Sequence, residues 1–166
     1  MKPLIIDNFL DIDAFQELQA NVLYGVQWKY NENIDYVDDE DKFQFTHSFY
    51  REKTGPTSTH YGVLRPILSR IKIKELYRIK ANLLTRTSKI EPNTFHTDIQ
   101  GNWGVIPYTT SIFYLNTNDG YTEFEDGTKV ESVANRFISF PIETKHRGTS
   151  CTDKKIRVVI NFNYLT

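Results

Sequence analysis

His96 and Asp98 place an imidazole and a carboxylate two positions apart in the segment Phe95-His96-Thr97-Asp98. In an extended strand, alternate side chains project from the same face, so these two groups point the same way. One nitrogen donor and one hard oxygen donor make half of a mixed metal site of the kind that suits iron(II). The motif is weak by itself, because chance pairs are common in a chain with four histidines and 21 acidic residues.

His146 and Arg157 are the downstream residues that could complete such a site. Taken alone, His146 is more simply explained as an ordinary loop histidine. Arg157 lies in a strand-like run, residues 156–164, and shares one face of it with Asn161 and Asn163. An inward arginine needs a carboxylate from the protein or from a ligand, because an unpaired buried guanidinium is costly. The alternative is an arginine paired on the outer surface of an edge strand.

Composition restricts the class of protein. A chain of 166 residues with 39% hydrophobic content can build one well-packed core and predicts one domain. The net charge of −1 and the absence of a basic block give no support for nucleic-acid binding. The single cysteine, Cys151, cannot form an internal disulfide, and no apolar run approaches about 18 residues. With no signal-peptide core at the start, we expect a cytoplasmic protein without a membrane span.

The first part of the chain predicts a strand and two helices. Residues 3–9 fit a strand, and residues 14–24 fit a helix that stops near Gly25. A second helix is expected after Thr57-Ser58-Thr59, with Pro66 tolerated in its first turns. Its apolar stripe consists of Val63, Leu64, Ile67, Leu68 and Ile71. Residues 31–41 carry six acids and predict a solvated loop, with a mobile lid or partner surface as the alternative.

The second part of the chain predicts strands only. From Leu76 the side chains alternate, with Arg78, Lys80 and Asn82 on one face. No helical period follows residue 76, which favours an antiparallel sandwich or barrel with the two helices packed outside. We therefore predict a single domain, 1–166, in which 1–76 form the N-terminal strand and supporting helices and 77–166 form the β core. The other predicted strands are 109–115, 122–124, 129–131, 136–140 and 156–164.

The order of these motifs resembles the iron(II)/2-oxoglutarate dioxygenases, in particular the prolyl-4-hydroxylase-like branch and its small phage-encoded homologues. Residues 1–24 also look like the opening strand and helix of that branch, so the resemblance covers most of the chain. The matching segments are Phe95–Asp98, Ile112–Asn116, Gly120–Thr122, Arg136–Phe140, His146–Gly148 and Arg157–Asn161.

The resemblance implies a mainly β protein, a double-stranded β-helix of the jelly-roll or cupin-like kind. It implies that His96, Asp98 and His146 hold catalytic iron(II) and that Arg157 binds the distal carboxylate of the co-substrate 2-oxoglutarate. Dioxygen would be the second co-substrate, and ascorbate is a candidate stimulant. The implied reaction hydroxylates a C–H bond while 2-oxoglutarate is decarboxylated to succinate. For a phage-encoded homologue, the expected compartment is the host cytoplasm.

One departure from the family concerns the strand before His-x-Asp. Many relatives carry a tyrosine there that binds the co-substrate, whereas this chain has Asn82-Leu83-Leu84-Thr85-Arg86. Asn82 is the candidate replacement, with Tyr114 helping from the next strand. A core aromatic whose hydroxyl is satisfied locally is the alternative interpretation of Tyr114.

The sequence leaves several substrates possible and also allows two other functional classes. We expect Trp103, between glycines, and Arg86 to lie on the substrate side, and we favour a peptidyl substrate, proline first, over a free small molecule. The acids of 31–41 favour a basic sequence on that partner. The alternatives are a cupin-like zinc or manganese barrel, acting as an isomerase or binding module, and a catalytically inactive barrel.

Overall fold

The structure, a computed structural model, describes residues 2–34, 42–99 and 108–166. The helical elements are α1 (Ile12–Ala20), a π-helical turn (Asn21–Gly25), a 3-10 turn (Tyr61–Leu64) and α2 (Arg65–Leu68). The strands are β1 (Leu4–Ile6), β2 (Lys29–Asn31), β3 (Gln44–Arg51), β4 (Gly55–Pro56), β5 (Glu75–Thr85), β6 (Tyr108–Tyr114), β7 (Tyr121–Phe124), β8 (Lys129–Glu131), β9 (Arg136–Pro141), β10 (His146–Gly148) and β11 (Ile156–Leu165).

Two antiparallel sheets face each other. The large sheet has eight strands in the order β1-β9-β6-β11-β5-β3-β2, with β4 paired to β3. The small sheet has three strands in the order β10-β7-β8, and bridges at Pro92↔Thr149 and His96↔His146 add residues 92–96 along its edge. This is the predicted double-stranded β-helix, and the mainly β fold class is confirmed.

The large sheet is covered on both faces by apolar side chains. On its back, α1 and α2 bury Leu18 and Ile67 against Phe113 and Phe162, which are fully buried. On its front, Ile112 and related residues of β6, β9 and β11 pack against Phe124 and Val130 of the small sheet. Apolar burial at about 25 cal/mol per Å² makes these two layers the main stabilising contribution. The front layer covers only part of the sheet and leaves room for polar residues.

Most predicted strands are confirmed with end shifts of at most two residues, but the first strand ends at Ile6 instead of residue 9. The second helix is shorter than predicted. Pro66 lacks an N–H and would clash with the carbonyl of Gly62 in a continuous helix. The chain therefore forms a 3-10 turn and then starts α2 at Arg65. The apolar stripe still buries Leu64 and Ile67 in the core. The first helix also turns wider than α-helical from Asn21 before it ends at Gly25.

Strand β3 was not predicted, although Phe45, His47 and Phe49 alternate along it with period two. It pairs with β5, so residues before 77 also contribute to the sheet that carries the polar front face. Within the described part of the chain, no helix has the length and apolar character needed to cross a membrane.

Candidate active site

The small sheet brings the two predicted histidines side by side. His146 is the first residue of β10, and His96 lies on the adjoining edge segment. Each backbone N–H donates to the other residue's carbonyl at 3.0 Å, so the pair is fixed in register. The ring centroids lie 4.9 Å apart. The carboxylate of Asp98, two residues after His96, lies next to both imidazole rings.

The donor atoms of His96, Asp98 and His146 all lie within 4.8 Å of one another. The Oδ1 atom of Asp98 is 3.9 Å from Nε2 of His96 and 3.7 Å from Nε2 of His146. The Nδ1 atoms are 3.1 Å from the carbonyls of Thr94 and Thr144, which orients both Nε2 atoms toward the carboxylate. Two imidazoles and one carboxylate on a common side fit an iron(II) site with open positions.

Asp98 is held as an anion by its surroundings. Burial raises its pKa, but His146, Arg78, a hydrogen bond from Asn163 and His96 outweigh that effect and bring the pKa to about 2. Asn163 Nδ2 donates to Oδ2 at 2.8 Å, and Arg78 Nη2 lies 3.6 Å from Oδ1. Arg78 also donates to the Asp98 carbonyl at 3.0 Å and through Nε to Asn163 at 3.0 Å. The carboxylate is therefore oriented as well as ionised.

His146 is the more deeply buried histidine, and its pKa is lowered. Burial is the main cause, and the nearby Asp98 carboxylate only partly offsets it. The ring packs 4.8 Å from Phe140, at an interplanar angle of 66°. A neutral imidazole keeps the Nε2 lone pair that metal binding requires.

A cavity of about 230 Å³ is lined by all three of these residues and by Arg157. Its other walls include Leu84, Ile112 and Val159, which are apolar, and the polar residues of β5. Asn161, four residues beyond Arg157 on β11, donates to Asp98 Oδ1 at 3.3 Å. Four residues of strand span about 13 Å. Arg157 and Asn161, which contacts the donor cluster, therefore line the same cavity at positions about 13 Å apart along β11.

Arg157 is 3% exposed, and no carboxylate of residues 2–34, 42–99 or 108–166 forms an ion pair with it. Its Nε donates to Ser132 Oγ at 2.8 Å and its Nη2 to Thr122 Oγ1 at 3.1 Å. Burial lowers the pKa of the guanidinium, which still stays protonated near neutral pH. A buried cation whose hydrogen-bond acceptors among the described residues are hydroxyls is complementary to an anion from outside the chain.

Gly120 makes room for the arginine. A Cβ at this position would lie 2.8 Å from Cδ of Arg157 and 2.6 Å from the Ser150 carbonyl oxygen. Both distances are shorter than real Cβ contacts. The glycine of the Gly120–Thr122 segment is therefore required for the close approach of β7 to Arg157, and a larger residue would displace the guanidinium.

The remaining predicted site residues occupy different positions. Asn82 lines the cavity, and its Oδ1 is buried without a hydrogen-bond partner. Tyr114 is buried beneath the site: its hydroxyl donates to Thr122 Oγ1 at 2.7 Å, and its ring centroid lies 5.8 Å from the Arg157 guanidinium. Arg86 is exposed just after β5 and is not among the residues lining the cavity. Trp103 and residues 35–41 of the acidic segment lie outside the described residues.

Three residues that contribute to the site were not singled out in the sequence. Arg78 contacts Asp98, and Thr122 and Ser132 accept hydrogen bonds from Arg157. Arg78 was detectable, because it shares the polar face of β5 with Asn82. Thr122 was named only as part of the matching segment Gly120–Thr122, without a role. Ser132 had no signal, since isolated hydroxyl residues near turns are common.

Solved structures with the same fold were found, whereas no family model and no curated protein matches the sequence. A prolyl hydroxylase from Trichoplax adhaerens, in complex with a hypoxia inducible factor peptide, superposes with a TM-score of 0.66 at 15% identity, over 98% of this chain and 83% of that one. The fold is that of the iron(II)/2-oxoglutarate oxygenases.

Two further structures illustrate the range of that fold. A viral collagen prolyl hydroxylase from Paramecium Bursaria Chlorella virus-1, in its 2-oxoglutarate complex, gives a TM-score of 0.65 at 15% identity, covering 100% of this chain and 97% of that one. The α-ketoglutarate-dependent carbocyclase SnoK from nogalamycin biosynthesis gives 0.68 at 14% identity, covering 98% and 79%. The predicted resemblance to the prolyl-4-hydroxylase-like branch is confirmed at the level of the fold.

Proposed function

We propose that this chain is an iron(II)- and 2-oxoglutarate-dependent oxygenase that hydroxylates a C–H bond. The observation that carries the proposal is Arg157, a buried cation without a carboxylate partner among the described residues, in the same cavity as His96, Asp98 and His146. The alternative cupin-like metal barrel leaves this cation without a specific anion. The oxygenase supplies one, the distal carboxylate of 2-oxoglutarate.

His96, Asp98 and His146 would hold the metal through Nε2, a carboxylate oxygen and Nε2. When bound, iron(II) and 2-oxoglutarate supply the oxidising chemistry with dioxygen, and the co-substrate is decarboxylated to succinate. The residues of the chain position these groups and keep their charges. A buried neutral His146 offers a lone pair and an ionised Asp98 offers a negative charge, and neither has to lose a proton near neutral pH to bind the metal.

Thr122 and Asn82 are further candidates for holding 2-oxoglutarate. Thr122 Oγ1 accepts hydrogen bonds from Tyr114 and Arg157, so its own proton is directed to another acceptor, and the residue lines the cavity. The Asn82 side chain also lines the cavity with an unsatisfied amide oxygen, and its amide can be turned to donate its N–H₂. In this arrangement Tyr114 affects co-substrate binding only indirectly, through its hydrogen bond to Thr122. Leu84, Ile112 and Val159 exclude water around the bound co-substrate.

For the substrate we propose a peptidyl residue, with proline first. One structure of this fold is a prolyl hydroxylase with a bound peptide, which supports the choice. The fold also carries a carbocyclase and an epimerase, so a free small molecule is the second candidate. Trp103 and Arg86 remain predicted substrate contacts, although Arg86 lies away from the cavity.

The test is conversion of 2-oxoglutarate to succinate under air with added iron(II) and ascorbate, first without a substrate and then with proline-containing peptides or free proline. We expect slow succinate formation that a peptide stimulates and that Asp98→Ala abolishes. Metal binding without succinate under every condition would favour the cupin-like module. Absence of both metal binding and succinate would favour an inactive barrel. Stimulation by a free amino acid but by no peptide would reject the peptidyl substrate.

A further inference from the structure

A second and larger cavity, of about 710 Å³, lies beside the first on the front of β2, β3 and β5. We call it the flanking groove. Its walls include residues that also line the first cavity, among them Gln44, Arg78, Lys80 and Asp98. Because Asp98 borders both spaces, a molecule lying in the flanking groove would pass directly beside the candidate metal site.

The floor of the flanking groove is a polar stretch of sheet. Strand pairing sets Asn31 opposite Gln44 and Ser48 opposite Lys80, and residues directly opposite share a face. Thr46 lies between these pairs and accepts a hydrogen bond from Asn31 at 2.9 Å. Side-chain amides and hydroxyls of this kind can donate to and accept from the backbone of an extended peptide. The floor therefore suits a polypeptide in strand-like conformation.

Among the described walls of the flanking groove, positively charged side chains outnumber carboxylates. Arg51, Lys53, Arg78 and Lys80 line it, against Glu52 and Asp98 as carboxylates. The Asp98 charge is already directed to Arg78 and to the candidate metal site.

Within the part of the chain that the structure describes, two of these cations have no anionic partner. Arg51 and Lys53 form no ion pair with any residue of the described ranges, and Arg51 contacts the Ser48 hydroxyl through Nε at 3.4 Å. A ligand that carries negative charge beside this end of β3 would be attracted to both side chains.

We propose that the flanking groove binds an extended peptide segment with acidic side chains and presents the neighbouring residue to the metal site. The proposal rests on the oxygenase function argued above and adds the sequence preference of its substrate. Strand β3 from Gln44 to Arg51 spans about 23 Å at ~3.3 Å per residue. A segment of about seven residues fits that length. Acidic side chains that reach Arg51 and Lys53 therefore lie within about four residues of the oxidised position.

An acidic peptide fits better than the two other partners that charge could suggest. Single-stranded nucleic acid is bound by stacking bases on aromatic side chains, and Tyr77 is the one aromatic residue among the described walls of the groove. The chain as a whole has a net charge of −1, which does not attract a polyanion. The basic partner predicted from the acids of 31–41 would be repelled by Arg51 and Lys53.

Binding to the unmodified full-length chain tests the preference without relying on turnover. Fluorescein-labelled peptides with one central proline and two Asp, two Lys or two Ser residues at the same flanking positions are titrated and followed by anisotropy. A labelled single-stranded oligonucleotide is the fourth probe. We expect the Asp peptide to bind about tenfold more tightly than the Lys peptide at low salt, with the difference fading as salt rises. Equal affinities, or tighter binding of the Lys peptide or the oligonucleotide, would overturn the proposal.

A charge-reversal variant locates the effect. Arg51→Glu with Lys53→Glu should abolish the preference for the Asp peptide, because two attractive contacts become repulsive. Lys72→Glu with Lys155→Glu changes the net charge equally at exposed positions outside the groove and should leave the preference intact. An equal loss in both variants would contradict the assignment. Selective Asp-peptide binding without succinate would reject the oxygenase function alone, whereas succinate without any charge preference would reject the groove alone.

Discussion

The two faces of β11 show how one strand serves stability and chemistry separately. The back face buries Ile160 and Phe162 against the helices, and its neighbours are apolar. The front face buries Arg157, Asn161 and Asn163 almost as completely, but next to the donor cluster and the cavity. Burial of apolar groups stabilises the fold, whereas burial of polar groups costs free energy unless each finds a partner. Buried polar side chains that lack protein partners therefore mark where a ligand belongs.

Substitutions of the metal ligands, which lie opposite the front face of β11, should give the largest effect on function with little effect on folding. We expect His96→Ala, Asp98→Ala and the triple alanine variant with His146→Ala to lose stoichiometric iron(II) binding, because three convergent donors are needed. Isothermal titration and metal analysis after gel filtration measure this loss. The matched control is His60→Ala, a histidine outside the cavity, which should bind one equivalent. Full stoichiometry in the triple variant would reject the site.

A back-face truncation should show the opposite pattern. Phe162→Ala removes a fully buried ring between the sheet and the helices and should lower the free energy of unfolding by about 3–5 kcal/mol. Chemical denaturation measures the change. At a temperature where the variant is still folded, its iron stoichiometry should equal that of the unmodified chain. A loss of metal binding in fully folded Phe162→Ala would contradict the separation of the two faces.

Replacing Arg157 should weaken co-substrate binding without weakening metal binding or lowering the stability of the fold. Removing one partner of a buried charged pair costs about 2–5 kcal/mol, so Arg157→Met should weaken 2-oxoglutarate binding at least about thirtyfold. Iron affinity should not change. Because the guanidinium has no anion among the described residues, the ligand-free variant should be as stable as the unmodified chain or more stable.

The control for this variant is Arg136→Met, which removes an arginine that pairs with Asp7 at 2.6 Å on the surface. It should leave 2-oxoglutarate affinity unchanged. An unaltered co-substrate affinity in Arg157→Met would favour the cupin-like alternative, and a large loss of stability would mean that Arg157 has a structural role.

Arg78 should give the smallest of these effects. It orients Asp98 through the carboxylate, the carbonyl and Asn163 without being a metal ligand. Loss of such a supporting contact typically lowers metal affinity about 10–100-fold, which we expect for Arg78→Ala in a competition titration with a chelator. Arg51→Ala, on the neighbouring strand opposite Arg78, should not change the metal affinity. Equal affinities for Arg78→Ala and the unmodified chain would remove Arg78 from the site.

Local patterns in the sequence determined the strands and the faces of those strands. The period-two alternation along β5 and β11 predicted which side chains share the polar front, and that prediction is confirmed by Arg78, Lys80, Asn82, Asn161 and Arg157 along one cavity. The spacing of His96 and Asp98 predicted their common direction for the same reason. A one-residue change of register would move a side chain to the opposite face, so the alternation itself specifies which side chains share a face.

Tertiary structure decided what each polar residue meets. The sequence could not reveal that Arg78 holds Asp98, or that Thr122 and Ser132 accept hydrogen bonds from Arg157, because these contacts join segments far apart in the chain. Strand β3 was also missed, although its alternation is visible between an acidic segment and a helical stripe. The flanking groove depends on β3 pairing with β5, so its positive charge appears only after the sheet is assembled. Pairing between distant strands is a property of the packed chain, which no local period encodes.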